Sequence, residues 1–293
     1  ERDPVKQLSL IAEAQQRFEA AENSSSVKEE ELQQLTTQRD QLLYAGLVKI
    51  RNDEIPNALD EILKVAAIVE KANMVDAARR TCLAVVREGD TKLLRDSLAS
   101  ENQHVRVVAL AGVVKVLGDD ALEPVKGLLD DQDDNVRLAA AIAAANLGER
   151  RALAVFGELL DSEELQVRSR TVQALRAVSG QRFKYLAYEK PEQRAHAMKE
   201  WRAWLASDGQ TAELKLPIGD SHAMLGRTLV ALYSQNKVIE LDSERKKVWE
   251  TSAVNQPWGA DGLPNGHRLI CSYNGKFVVE FDESGKEVWR MDN

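Results

Sequence analysis

Residues 98–118, LASENQHVRVVALAGVVKVLG, set a pattern that returns at 129–148 as LDDQDDNVRLAAAIAAANLG and at 160–180 as LDSEELQVRSRTVQALRAVSG. Leu98, Leu129 and Leu160 recur at one constant interval, and each is followed by a Val-Arg pair: Val105-Arg106, Val136-Arg137 and Val167-Arg168. A fixed period of this length marks a stacked helical array, in which each unit buries its apolar face against its neighbours. The stretch between Leu and Val-Arg is acidic or amide-rich (SENQ, DDQDDN, DSEELQ). Such residues suit a helix start, because Asp, Asn and Ser side chains accept hydrogen bonds from the unpaired amides of the first turn. Each copy closes on Gly118, Gly148 or Gly180, a residue type that can turn left-handed and stop the helix.

Upstream, ALDEILKVAAIVEKAN leads into MVDAARRTCLAVVREG about one period earlier, so four helix pairs are expected between Asn57 and Gly180. Their second helices are dense in Ala and Val, which lets neighbouring helices approach closely. Downstream, PEQRAHAMKEWRAWL (191–205) reads as an amphipathic helix with Pro191 in its first turn and Ala195, Met198, Trp201 and Leu205 on one face. Its expected job is to cover the open end of the array, with Trp201 and Trp204 in cap and core. Residues 1–44, rich in Glu, Gln and Ala, have a thin helical stripe (Val5, Leu8, Ile11, Phe18, then Leu32, Leu35, Leu42, Leu43) broken at Asn23-Ser24-Ser25-Ser26. A helical hairpin or short coiled coil fits that pattern.

The repeated units resemble HEAT repeats of the short, PBS-lyase-like class. The resemblance implies that the Val packs between helices and that Arg106, Arg137 and Arg168 join a polar ladder between repeats, in preference to contacting a ligand. The tryptophan-bearing helix is similar to one that follows HEAT arrays in bacterial extracytoplasmic proteins. That similarity places the chain in the periplasm or outside the cell, as an expectation.

After the polar stretch SDGQTAELKLP the period becomes 40. Gly226 matches Gly266, Leu229 matches Leu269, Tyr233 matches Tyr273, and Val238 matches Val278. Glu240-Leu241-Asp242 matches Glu280-Phe281-Asp282, Lys246 matches Lys286, and Val248-Trp249 matches Val288-Trp289. HRLICSYN, KFVVEFDE and KEVWRMD are short and β-rich, with turns at Pro264-Asn265-Gly266 and Glu283-Ser284-Gly285. Short strands at this period are a signature of β-propeller blades. The strings PWGADGLPNGHRLI and VVEFDESGKEVWR resemble blades of pyrroloquinoline-quinone-like and arylsulfotransferase-like propellers. The blade signature comprises Asp242, Trp249, Pro264, Asn265, Gly266, Asp282, Gly285 and Trp289, and Arg245 replaces the turn glycine found at Gly285.

The expected fold is therefore multidomain α plus β: a hairpin over 1–44, a HEAT-like α-solenoid with its capping helix over 45–207, a linker at 208–216, and two blades of an incomplete propeller over 217–293. Because propellers close with four to eight blades, the chain reads as a fragment whose other blades lie beyond Asn293. Glu1 in place of Met points to a processed or excised beginning.

The net charge of −8 leaves no basic surplus for a phosphate backbone, so nucleic acid is not expected as a partner. No apolar run approaches the ~20 residues that span a bilayer. Cys82 and Cys271 have no metal-ligand spacing and read as buried small apolar side chains. His104, His196, His222 and His267 lack partners at metal-ligand spacing, and neither a phosphate-binding glycine loop nor a nucleophile elbow is present. Arylsulfotransferase-like blades carry His-Asp before the LPNG turn, whereas Trp258-Gly259 stands there. No catalytic residue, metal or cofactor is expected in this chain. The reading is an interaction scaffold that takes a protein or peptide on the concave solenoid face and uses the blades as a second surface. Its rivals are a quinoprotein or sulfotransferase whose site lies in absent blades, and a bilin-lyase-like protein for which no residue here singles out a bilin.

Overall fold

The computed structural model describes residues 3, 5, 6, 8, 29–219, 227–241, 245–263, 266–282 and 284–292. Its contacts divide the chain into two compact units, residues 1–152 and 153–293.

In the first unit, α1 (Glu29–Asn52) precedes three helix pairs: α2 (Leu59–Ile68) with α3 (Ala72–Val85), α4 (Thr91–Ser97) with α5 (Gln103–Leu117), and α6 (Leu122–Lys126) with α7 (Asp134–Asn146). The second helices stack, α3 against α5 and α5 against α7. Their facing residues are small or β-branched and buried: Ala78 and Cys82, then Val108, Ala109 and Val113, then Ala140, Ala141 and Ala144. Gly112 shows how tight this packing is. A Cβ there would lie 2.5 Å from Leu94 and 3.1 Å from the Cys82 sulfur, so a side chain would push α5 off both helices. Each buried Val or Leu in such a stack contributes about 1.5–3 kcal/mol relative to exposure.

The stripe in residues 1–44 is described only in part, with residues 9–28 outside the described set. Leu8 is fully buried, and its side chain occupies the space a Cβ on Gly46 of α1 would need. Helix α1 runs without a break through the composition change near residue 44 and packs against α3, where the Thr81 hydroxyl donates to the Leu47 carbonyl at 3.1 Å.

The second unit begins within α8 (Arg151–Leu159), followed by α9 (Leu165–Ser179) and α10 (Pro191–Ala206). Gly180 ends α9 with φ 71°, and its N–H donates to the Arg176 carbonyl, the left-handed stop that glycine permits. Helix α10 is amphipathic as expected, with Ala197, Met198, Trp201, Trp204 and Leu205 buried. Ala195 is exposed, a correction to its expected inward place: the buried face is centred on Met198 and Trp201, and 195 falls outside that arc. Trp201 meets Phe183 edge-on at 4.9 Å and Trp204 at 6.2 Å. Leu205 fits against α8 because Gly157 leaves room for it, with only 2.7 Å to an added Cβ. The stretch 208–216 is tied back to the end of α9, where the Lys215 amide donates to the Val178 carbonyl at 2.8 Å.

Two antiparallel sheets follow. The first holds β1 (Thr228–Leu232), β2 (Lys237–Leu241) and β3 (Lys247–Thr251); the second holds β4 (Pro257–Gly262), β5 (Arg268–Ser272), β6 (Phe277–Phe281) and β7 (Glu287–Asp292), each in sequential order. Strands β1, β2 and β3 recur one period later as β5, β6 and β7, and the register of each sheet shifts at the same place, Glu240/Leu241 and Glu280/Phe281. Val238, Val254, Ile270, Val279 and Phe281 form one core drawn from both sheets. Within β5 the period-2 alternation turns Arg268, Ile270 and Ser272 inward. Cys271 therefore points outward and is exposed, which corrects its expected burial; Cys82 is buried.

Candidate functional site

The Val-Arg pairs sit in the first turn of the second helices. Asn102 caps α5 by accepting from the His104 and Val105 amides at 2.9 and 3.3 Å, and Asp133 caps α7 by accepting from Asn135 and Val136 at 3.0 Å. Glu164 takes the same place before α9 without a side-chain cap, its carboxylate being one methylene too long for that geometry. Two residues earlier, the side chains of Ser100, Asp131 and Ser162 each accept the amide of residue 102, 133 or 164, so the turn itself repeats. Val105, Val136 and Val167 are buried.

The arginine is the fourth residue of each helix. Arg106 is buried, and one guanidinium nitrogen donates to the Ser100 and Glu101 carbonyls of its own turn at 2.8 and 3.0 Å. Its other nitrogens hold Asp131 of the next turn in a fork, at 2.8 and 2.6 Å. One side chain thus ties two successive turns together with a bidentate, charge-assisted contact. Arg137 is different. Residue 162, one period after Asp131, is Ser and offers no carboxylate, and Arg137 donates instead to Asp134 of its own helix. Arg168 is buried and again reaches back to its own turn, to the Ser162 and Glu163 carbonyls at 2.6 and 2.7 Å, while its Nε donates to Ala187 at 2.9 Å. Burial and the neighbouring Arg194 charge pull Arg168 below the usual arginine range.

Arg194 is the residue that the sequence pattern hid. It too is the fourth residue of its helix, α10, is buried, and donates to the Glu189 carbonyl five residues back, as Arg106 and Arg168 do to Glu101 and Glu163. One full period after Arg168 stands Lys199, and Gln193 precedes Arg194 in place of Val, so neither period nor pair announces it. The signal that could find it is an arginine four residues into a helix that opens on a tight turn.

Residues 91–176 match the HEAT repeat family. No curated protein and no solved structure matches the chain. The HEAT match starts at the first residue of α4 and ends near the close of α9, so the three turns and the arginines Arg106, Arg137 and Arg168 all lie inside it. Arg194 lies outside the matched HEAT segment, yet it closes its turn in the same way.

The sheets carry a second repeated polar pair. Arg227 and His267, one period apart, face Glu240 and Glu280: Arg227 donates to Glu240 at 2.9 Å, and His267 Nδ1 lies 2.6 Å from Glu280. Glu240 also receives Arg268 at 2.6 Å, and this buried pair is roofed by Trp249, whose ring lies 4.5 Å from the Arg268 guanidinium. Trp249 is thus half-buried between the sheets, whereas its counterpart Trp289 is exposed on β7. Gly285 lies against Trp249 at φ 88°, and Arg245 holds φ 65° at the matching turn. Asp282 organises its turn by accepting from the Ser284 hydroxyl and the Lys286 amide, which hold its carboxyl below the usual carboxylate range. Gly266 closes the other turn, its amide donating to Leu263. Asp242, Pro264 and Asn265 of the blade signature lie outside the described residues.

The sheets also carry an exposed group of rings. Tyr233, Trp258 and Tyr273 come together at one end of β1, β4 and β5, with ring centroids 6.0 and 5.7 Å apart along the series. Among the described residues, no three His, Cys, Asp or Glu side chains converge in a way that could hold a metal ion, and no helix is long and apolar enough to cross a membrane.

Proposed function

We propose that this chain is a non-catalytic scaffold for protein interaction, with the solenoid over 45–207 as the principal surface and the sheets over 217–293 as propeller blades that add a second. The observation that carries this reading is the HEAT match over 91–176. HEAT arrays present extended faces to partners, because each repeat adds a helix pair without enclosing a pocket. The polar residues at the repeated positions support it further: Arg106, Arg168 and Arg194 are taken up in closing turns, which fits a structural role for them and not a ligand site. The propeller reading is supported by the 40-residue period, the LPNG string and the core that both sheets share. The resemblance of the tryptophan helix supports an extracytoplasmic setting.

Photo-crosslinking tests the principal surface. A photoreactive residue replaces Lys115 on α5 or Ala177 on α9, exposed positions on second helices, or Lys92 on the first helix α4. A protein adduct is expected from the α5 and α9 positions and not from Lys92. Adducts confined to Lys92, or none from any position, would remove the solenoid as the working surface.

A further inference from the structure

Tyr233, Trp258 and Tyr273 remain 40%, 73% and 61% exposed, and Trp258 is among the most exposed large apolar side chains of the described chain. Three aromatic rings left in water are costly unless something covers them, and aromatic clusters of this kind are enriched at binding surfaces. These rings are also held in place. Gln256, at φ 49°, is the hub: its amide donates to Asn236 Oδ1 at 2.8 Å, its side-chain oxygen receives the Tyr233 hydroxyl at 2.9 Å, and its carbonyl accepts the Tyr273 amide at 3.0 Å. Tyr233 packs edge-on to Trp258 at 80°, and Trp258 tilts 37° to Tyr273, so the rings form an angled, stepped surface rather than a closed cage. The left-handed backbone at Gln256 is the conformational cost of this arrangement.

The chemistry of the patch narrows what it can bind. Tyr233, Asn236, Gln256, Trp258 and Tyr273 are all neutral, so an anionic ligand finds no counter-charge among them, and the stepped rings do not enclose a cation as an aromatic cage does. Three acceptors of the patch, Asn236 Oδ1, Gln256 Oε1 and the Gln256 carbonyl, each already receive one internal donor. Several donors have no such internal partner: the Trp258 indole N–H, the Tyr273 hydroxyl, which can also accept, and the side-chain NH₂ groups of Asn236 and Gln256. A surface of apolar ring faces flanked by donors fits a ligand that offers apolar rings and acceptors but no donors of its own. Proline-rich peptide is that ligand. Its pyrrolidine rings are apolar, its nitrogens carry no hydrogen, and its extended polyproline II backbone leaves every carbonyl outward as an acceptor. Aromatic grooves read such peptides without having to order them first. An oligosaccharide also stacks on aromatic rings, but its hydroxyls bring as many donors as acceptors, whereas the amide acceptors around Gln256 already receive one donor each, so carbohydrate is kept as an outcome of the test.

We propose that the Tyr233–Trp258–Tyr273 face binds a proline-rich segment of a partner protein in the polyproline II conformation. The proposal rests on the interaction-scaffold reading and names the partner chemistry of its second surface. The test uses the full chain and a fluorescein-labelled decaproline peptide, read by fluorescence anisotropy. Saturable binding is expected, weakened at least tenfold by Trp258→Ala and by Tyr273→Ala, with the thermal unfolding midpoint of each variant close to that of the parent. Oxidation with N-bromosuccinimide, read by mass spectrometry on the unmutated chain, is a second measurement that needs no variant. Saturating peptide should protect Trp258 and leave Trp289, exposed on β7, reactive. No saturable binding up to millimolar peptide, binding untouched by both substitutions, or protection of Trp289 instead of Trp258 would each overturn the proposal. So would protection of Trp258 by cellohexaose in the absence of protection by decaproline, which would assign the face to carbohydrate. A chain that works through its helices alone would still give the α5 and α9 crosslinks while failing this test, so the two readings fail separately.

Discussion

Arg106 and Arg137 occupy the same repeat position and have different fates, which makes them a controlled pair. Arg106 and Asp131 keep only 6% and 8% of their side chains exposed, and removing the guanidinium would leave a buried carboxylate with no counter-charge. Arg106→Ala should therefore cost about 3–5 kcal/mol in urea denaturation. Arg137→Ala removes a contact with a half-buried Asp134 in its own helix and should cost under about 1 kcal/mol. Equal losses at the two positions would show that the fork to the next turn is energetically idle. The turn at Arg245 offers the opposite sign. A non-glycine residue at φ 65° costs about 1 kcal/mol, and glycine already stands at the matching position 285. Arg245→Gly should raise the unfolding free energy by up to about 1 kcal/mol, and an unchanged or lowered midpoint would contradict the strain argument.

At the level of elements, the repeat is as much a repeat of turns as of helices. Leu-to-Val-Arg spacing was legible because the N-caps and arginines sit at invariant offsets from the helix start, and the apolar residues fall where the stack needs them. Asp133→Ala removes the side chain that accepts two amides at the start of α7 and should cost about 1 kcal/mol by urea denaturation. Asn102→Ala should cost at least as much, because Asn102 also donates to the Ala67 carbonyl at 2.9 Å and so ties α5 to the end of α2. A loss at 133 larger than at 102 would show that the link to residue 67 contributes nothing. The strands were legible for a different reason: β1–β3 and β5–β7 copy each other at a constant offset, down to the shared bulge, so a residue-by-residue match reveals both.

Across the whole molecule, buried titratable groups set the pH range in which the fold holds. Burial pushes Tyr185 up to about 12 from its ordinary 10.0, and its hydroxyl donates to the Leu160 carbonyl. Because the folded value lies above the unfolded one, the Tyr185 contribution is intact below pH 10 and falls as pH rises toward 12, by about 1.4 kcal/mol per pH unit for this one proton, and the buried Cys82 thiol, pushed from 9.0 up to about 12, adds a loss that starts near pH 9. Urea midpoints should drop between pH 10 and about 12, and Tyr185→Phe should lessen that drop while lowering the midpoint at neutral pH. Asp40 works at the acid end. Burial opposes its charge, but hydrogen bonds from Lys71 and Arg39 outweigh that and hold its carboxyl below the ordinary value of 3.8. Its contribution is therefore present above the unfolded value and is lost as pH falls through the folded one.

What the sequence by itself determined is the part built from local, recurring chemistry: the evenly spaced helix pairs, the caps, the closing glycines, and the change to short strands at a longer period. These follow from spacing, since a helix start or a β-turn depends on residues within a few positions of each other. Tertiary structure alone decided which of those residues touch. Arg106 finds Asp131 and Arg137 does not find its like, because one period later the chain carries Ser162. Arg194 joins the turn-closing arginines at an irregular spacing, and Cys271 faces outward because its neighbours in β5 take the core. Tyr233, Trp258 and Tyr273 become one surface only when β1, β4 and β5 are laid side by side, since rings well separated along the chain meet through strand pairing and sheet packing, which no short window of sequence encodes.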